Sequence, residues 1–171
     1  LVKAILDCFY PSIKPHVYIE DGYIECNSTA FYGIPLTMKG GTIVEKSISS
    51  AFDECDLTIN GGTITSKGSI IDGGTTIING GTFETAATYS DIIKNNSGTI
   101  TINDGSFKTV SGYSNVVLNE TGNVIINNGT FNRKIQMIDN YARNIISHSL
   151  NTIYEGKTIS YFVEKPNDNT S

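Results

Sequence analysis

Three aspartates recur at equal intervals in the middle of the chain. Asp53, Asp72 and Asp91 are 19 residues apart, and Lys94 follows the last of them. Two carboxyl groups held about 6.5–9.5 Å apart across a groove can protonate a leaving group and activate water, as inverting glycoside hydrolysis requires. Acidic oxygens can instead hold Ca2+ beside a base of lowered pKa, with Lys94 in that role. Glu54 and Asp56 stand close to Asp53 and add oxygen donors. Asp72, however, follows its pair Ile70-Ile71, whereas Asp91 precedes Ile92-Ile93, so the three need not share one face. Arg133 and Arg143 fall where the internal repeat fades, and His16 and His148 lie near its two ends, so neither type completes an acid/base pair with the aspartates. The catalytic candidates Asp53, Asp72, Asp91 and Lys94 therefore compete with a plainer reading as solvated surface charges.

A second kind of chemistry is aromatic. Tyr89 and Tyr113 occupy one position in two consecutive repeats, and Met137 is expected next in that row. Stacked tyrosine faces suit the apolar side of a sugar ring, which makes this pair the ligand-binding candidate. If Lys94 points outward, Ile92 and then Val116 should as well, since residues two apart on a strand share a side. An outward apolar strip of that kind would offer a contact to a partner or to copies of the chain.

All of these residues need a scaffold that brings distant positions together, and the sequence supplies one. An apolar residue, two turn residues, Gly, a small or polar residue and then Ile or Phe recur from about Val17 to Phe131, as in Ile59-Asn60-Gly61-Gly62-Thr63-Ile64 and Ile102-Asn103-Asp104-Gly105-Ser106-Phe107. From Gly22 to Gly129 the glycine separations are 19, 21, 19, 24 and 24 residues, which fits one circuit of a β-solenoid per repeat. Helical repeats and propeller blades need about 33 residues or more. Within each unit the apolar residues alternate, as in Thr99-Ile100-Thr101-Ile102, the period of a strand. The fold predicted is all-β: a right-handed parallel β-helix of about six coils with three short strands per coil, about 29 Å tall at the usual strand spacing. A single coil cannot bury its apolar face, but a stack can.

Asn60, Asn79, Asn103 and Asn127 fall at one turn position and are expected to form a structural ladder, with amides bonded from coil to coil and a left-handed backbone at the bend. Thr63, Thr82, Ser106 and Thr130 form a second row suited to a pleated outer surface. A seventh, weaker repeat starts near Ile153, and Tyr154 to Val163 reads as a further strand. Residues 1–15 are the expected N-terminal cap, 16–160 the β-helix, and 161–171 a loose tail or linker.

The 171-residue chain has a net charge of -5, which argues against nucleic acid because phosphate binding needs clustered Lys and Arg. No apolar run approaches the ~18 residues of a membrane span. Cys8, Cys26 and Cys55 lack any C-x-x-C spacing and read as buried thiols rather than as a zinc site or disulfide framework, so no metal or cofactor is expected. The chain begins with Leu1 rather than Met, which reads as a processed or excised piece. Sequons at Asn27, Asn95, Asn119, Asn128 and Asn169 are what a chain rich in Asn, Thr and Ser produces by chance.

The Ile-Asn-x-Gly-Thr-Phe units resemble the right-handed parallel β-helix superfamily of pectate lyases, polygalacturonases and phage tailspikes, over about residues 17–131. In that family an asparagine ladder occupies a tight inter-strand turn, where the four asparagines would sit. The Gly-Gly-Thr repeats are also similar to those of surface proteins of anaerobic Gram-positive bacteria. The resemblance implies an extracellular, cell-surface or virion location and a polysaccharide or cell-surface glycan as partner. The function expected is that of a non-catalytic scaffold or adhesion module. The alternatives are a polysaccharide lyase (with Ca2+) or glycoside hydrolase, and a homotrimeric tailspike fragment.

Overall fold

A computed structural model describes residues 14–86, 88–110 and 113–132, together with the backbone of five later segments, 135–137, 142–147, 153–154, 157–158 and 163–164. The chain winds through three parallel sheets in turn, so the predicted all-β solenoid with three strands per coil is the observed architecture. The first coil runs through Val17–Ile19, Tyr23–Cys26 and Phe31–Tyr32, the second through Pro35–Met38, Thr42–Glu45 and Phe52–Asp53, and the third through Asp56–Ile59, Thr63–Ser66 and Ile71–Asp72. The fourth takes Thr76–Ile78, Thr82–Thr85 and Ile93–Asn95, and the fifth Thr99–Ile102, Ser106–Thr109 and Val117–Asn119. Gly122–Ile126, Thr130–Phe131 and Ile135–Met137 add one more strand to each sheet in the same register sense. Beyond them Ala142–Ser147, Ile153–Tyr154 and Val163–Glu164 pair in parallel with the first, second and third sheets. The expected single strand from Tyr154 to Val163 is instead a turn back: Ile153–Tyr154 pairs antiparallel with Lys157–Thr158 before the chain reaches the third sheet. The proposed cap lies outside the described residues, apart from Lys14 and Pro15.

Alternation explains why these short segments become strands. In Thr63-Ile64-Thr65-Ser66 the second and fourth side chains are buried and the other two face outward, and the pattern repeats above and below. Stacking then puts like on like. Phe83 lies over Phe107 at 4.7 Å between ring centroids and Phe107 over Phe131 at 5.0 Å, each pair within 7° of parallel. Ile43, Ile64, Phe83, Phe107 and Phe131 form one such column, and Met38, Ile59, Ile78, Ile102 and Ile126 another, all buried.

Asparagine ladder formation is as expected, with one correction. Asn79 Nδ2 donates to Asn60 Oδ1 at 2.7 Å, Asn103 Nδ2 to Asn79 Oδ1 at 2.7 Å, and Asn127 Nδ2 to Asn103 Oδ1 at 2.6 Å. The left-handed backbone, however, belongs to the glycine two residues on. Gly62 has φ +98 and Gly81 φ +114, whereas among non-glycine described residues only Glu54 has a positive φ. A β-carbon at Gly62 would sit 2.8 Å from the carbonyl oxygen of Gly41 in the coil below, so glycine is required there for space as well as for conformation.

The expected outward strip at Ile92 and Val116 does not exist, because both side chains are fully buried. The strands begin one residue later, at Ile93 and Val117, which are also buried. At the preceding corner the chain changes direction, so the two-residue alternation does not extend back across it, and both members of each apolar pair enter the core.

Candidate functional site

The third sheet carries most of the candidate polar chemistry on its outer face. Register places Tyr32, Asp53, Asp72, Lys94 and Leu118 in one row, each directly above the last. Asp53 and Asp72 are therefore neighbours, and Lys94 is the next rung. Asn96 Nδ2 donates to Asp72 Oδ1 at 3.0 Å, and Lys94 Nζ lies 3.8 Å from Glu120 Oε1. Burial pushes the Asp72 carboxyl above its usual range; the nearby Lys94 charge opposes this, and Asp53, Glu120 and Glu54 reinforce it. Neighbouring strands stand about 4.8 Å apart on one surface. That geometry puts two carboxylates side by side on a pleat rather than facing each other across a groove. Among the described residues no group of three His, Cys, Asp or Glu side chains is placed to share a metal ion.

Asp91 is not in this row. It sits on the corner before the third sheet, where its Oδ1 accepts hydrogen bonds from the Asn115 backbone N–H at 2.6 Å and from Asn115 Nδ2 at 3.0 Å. Burial raises its pKa against the lowering effect of those two bonds. The 19-residue interval that relates it to Asp72 thus crosses a change of coil length. The equivalent of Asp91 is Asn115, 24 residues on, and the pair is a polar rung.

On that same corner, two residues earlier, Tyr89 and Tyr113 stand one above the other, with ring centroids 5.7 Å apart and planes inclined by 31°. They are 79% and 78% exposed, the most solvent-accessible tyrosines described. Met137 does not continue the row: its backbone pairs with Asn119, on the strand that follows, because the coil after Tyr113 is shorter at this corner. On the first sheet a shallow groove runs past Pro35, Asp56, Thr58, Thr75 and Ile77 to His16. His16 stacks on Tyr18 at 4.4 Å, and its Nε2 is 2.9 Å from Thr37 Oγ1.

Two polar features escaped the sequence reading. Asn95 and Asn119 are wholly buried, and Asn95 Nδ2 donates to Asn119 Oδ1 at 2.7 Å, making a second, internal asparagine rung. The signal was present in the aligned tetrapeptides Asn95-Asn96-Ser97-Gly98 and Asn119-Glu120-Thr121-Gly122, which read as sequons but are turns. Ser97 Oγ accepts from the Gly74 N–H at 3.2 Å, and Thr121 Oγ1 bonds the Asn96 carbonyl. Cys26, Glu45, Ser66, Thr85 and Thr109 form an inward polar row at the end of the second sheet. Within it Ser66 Oγ donates to the buried Glu45 carboxylate at 2.9 Å. Cys55 is buried and Cys26 half-buried, both as free thiols; Cys8 lies outside the described residues.

Neither a protein-family model, nor a curated protein, nor a solved structure matches the chain. The chemistry of the site has to be read from its own residues.

Proposed function

We propose that this chain is a non-catalytic module that presents a glycan-binding corner on a rigid solenoid of the pectate-lyase-like or tailspike-like kind, at a cell surface, virion surface or other extracellular site. The observation that carries this reading is the exposed pair Tyr89 and Tyr113, held in register on consecutive coils. Burying an aromatic ring against the apolar face of a pyranose releases water from both, and two rings one coil apart can engage successive sugars of one chain. Two residues on from each tyrosine, Asp91 and Asn115 are hydrogen-bonded to each other, so these two side chains do not have to be ordered when ligand arrives. Four ion pairs between neighbouring coils, Glu20 with Lys39, Glu25 with Lys46, Glu84 with Lys108 and Glu120 with Lys94, occupy lysines that a polyanion would need. A neutral glycan is therefore favoured over a polyuronate.

The test is affinity electrophoresis or calorimetry against a panel of neutral and acidic polysaccharides. Binding by the native chain that weakens about fivefold in Tyr89→Ala and is lost in the double variant with Tyr113→Ala supports the reading. Native binding that survives both substitutions, or a panel with no binder, removes it. The second reading, a lyase or hydrolase, is favoured by one observation, the Asp53, Asp72 and Lys94 row with its raised Asp72 carboxyl. Cleavage of any polysaccharide in that panel, with or without Ca2+, abolished by Asp72→Asn, would put it in first place.

A further inference from the structure

Asn60 and Asn79 lie in identical pentapeptides, Ile59-Asn60-Gly61-Gly62-Thr63 and Ile78-Asn79-Gly80-Gly81-Thr82. An Asn followed by Gly is prone to hydrolytic loss of its side-chain amide, because nothing on the next residue hinders its backbone nitrogen from reaching Cγ. Both asparagines are exposed to water. Their turns are also alike: β-carbons at Gly61 and Gly80 would lie 2.9 Å from the Lys39 carbonyl oxygen and 3.1 Å from that of Asn60. Neither local sequence nor solvent access distinguishes the two. Their places in the ladder do.

Asn79 is an interior rung: its Nδ2 is bound to Asn60 Oδ1 at 2.7 Å while its Oδ1 accepts from Asn103 at 2.7 Å. Asn60 is the foot. The corresponding residue in the coil below is Lys39, whose ammonium is engaged with Glu20 at 2.9 Å and which has no side-chain carbonyl to offer. Asn60 Oδ1 therefore receives the Asn79 N–H, while its own Nδ2 has no acceptor among the described residues.

We propose that Asn60 is a site of spontaneous deamidation in the folded protein and that the ladder protects Asn79. The Gly61 amide nitrogen attacks Asn60 Cγ, forming a five-membered imide. The Cγ–Nδ2 bond breaks, and Nδ2 leaves as ammonia with the proton given up by Gly61. Water then opens the imide to aspartate or isoaspartate. Both rungs have an N–H aimed at the oxygen that becomes negative during attack, from Asn79 at Asn60 and from Asn103 at Asn79, so the two differ at the leaving nitrogen. At Asn60 the leaving nitrogen is free to take up a proton. At Asn79 the leaving nitrogen is tied to Asn60, and departure breaks that bond. The products differ as well. An aspartate carboxylate at position 60 still accepts from Asn79, in a stronger charge-assisted bond. A carboxylate at position 79 would face the Asn60 carbonyl oxygen until the Asn60 amide turned over to offer its own N–H. Hydrolysis to aspartate at position 60 thus keeps the existing bond from Asn79 in place.

The experiment is peptide mapping by mass spectrometry of the full chain aged in mildly alkaline buffer, folded and in denaturant. In denaturant the two sites should convert at the same rate. In the folded protein Asn79 should convert about five- to tenfold more slowly than Asn60, the effect of one hydrogen bond. Replacing the foot, Asn60→Ala, frees Asn79 Nδ2 and should raise the Asn79 rate toward that of native Asn60; Asn60→Asp retains the acceptor and should not. Circular dichroism identifies any variant that is unfolded, in which case the native folded-to-denatured comparison decides. Equal rates at the two sites in the folded protein, faster conversion at Asn79, or a folded Asn60→Ala whose Asn79 rate is unchanged would each overturn the proposal.

Discussion

If stacking in register holds the rod together, a side chain's contribution depends on its neighbours above and below more than on its own burial, and the phenylalanine column isolates that effect. Phe83 and Phe107 are both buried, at 0% and 1% exposure, in strands of the same sheet. Phe107 has a ring on each side, at 4.7 and 5.0 Å, whereas Phe83 has Phe107 on one side and Ile64 on the other. Substitution by Leu keeps most of the apolar area and removes the ring. Phe107→Leu loses two ring pairs and Phe83→Leu loses one, so the two should differ by about 0.5–1.5 kcal/mol, the worth of one aromatic pair beyond its area. Urea unfolding followed by far-UV circular dichroism measures this. The m-values should be compared first, because a linear stack can lose cooperativity when one coil is weakened. The sharper readout is the double-mutant cycle. Phe83 with Phe107 should show a coupling of about 0.5–1.5 kcal/mol, and Phe83 with Phe131, which are separated by a full coil, should be additive within about 0.5 kcal/mol. Zero coupling in the first cycle, or equal coupling in both, would refute the column of stacked rings.

Two more outcomes follow from the coil-to-coil geometry. Asp91 is held above its usual pKa of 3.8, chiefly by burial, so the folded state binds its proton more tightly than the unfolded state does. Its contribution to stability is full below pH 3.8 and is lost as pH rises through the higher folded value. Asp91→Asn, whose carbonyl oxygen can still accept both bonds from Asn115, should flatten that part of the pH–stability profile and leave the protein at least as stable at neutral pH, as followed by thermal melts across an acidic series. Among the glycines, Gly74→Ala places a β-carbon 2.1 Å from the Cys55 carbonyl oxygen at φ +79, and should cost about 3 kcal/mol or more. Gly22→Ala, at φ +114 with no atom within 4 Å, should cost only the backbone strain of about 1–2 kcal/mol. Equal melting temperatures for the two alanine variants would contradict the close approach of coils at Gly74.

The stacked architecture was legible in the sequence because two positions per coil are chemically constrained whatever the coil length. The glycine that takes the left-handed turn and the apolar residue two places later recur from Gly22-Tyr23-Ile24 to Gly129-Thr130-Phe131. The asparagine before that turn was legible as a ladder for the same reason, although its backbone conformation was assigned to the wrong residue. What failed were inferences carried by interval alone. Asp53, Asp72 and Asp91 are evenly spaced, but the fourth coil is longer at the corner after Glu84, so equal spacing in sequence becomes unequal height and face in space. Met137 fails beside Tyr113 through the opposite change, a coil that shortens at the same corner. The outward assignment of Ile92 and Val116 applied a strand's alternation to residues that precede the strand.

This division between constrained turns and variable corners bears on where a ligand could bind. At the turn between the first and second sheets most positions above the second coil are answered by their like one coil away: Asn79 on Asn60, Gly81 against the Gly62 carbonyl, Thr63 beside Thr82. Side chains bonded to one another along a ladder leave few groups to recognise anything else. The corner before the third sheet obeys no such rule, since its length changes from coil to coil and its polar pair, Asp91 with Asn115, is satisfied within the corner. It nevertheless holds two large aromatic side chains nearly four-fifths in water, at a hydration cost that the core columns show this chain elsewhere avoids for its phenylalanines. The exposed pair is kept in register on consecutive coils. On the proposed reading, its placement on the corner where coil length is free to vary is what would join the solenoid to recognition.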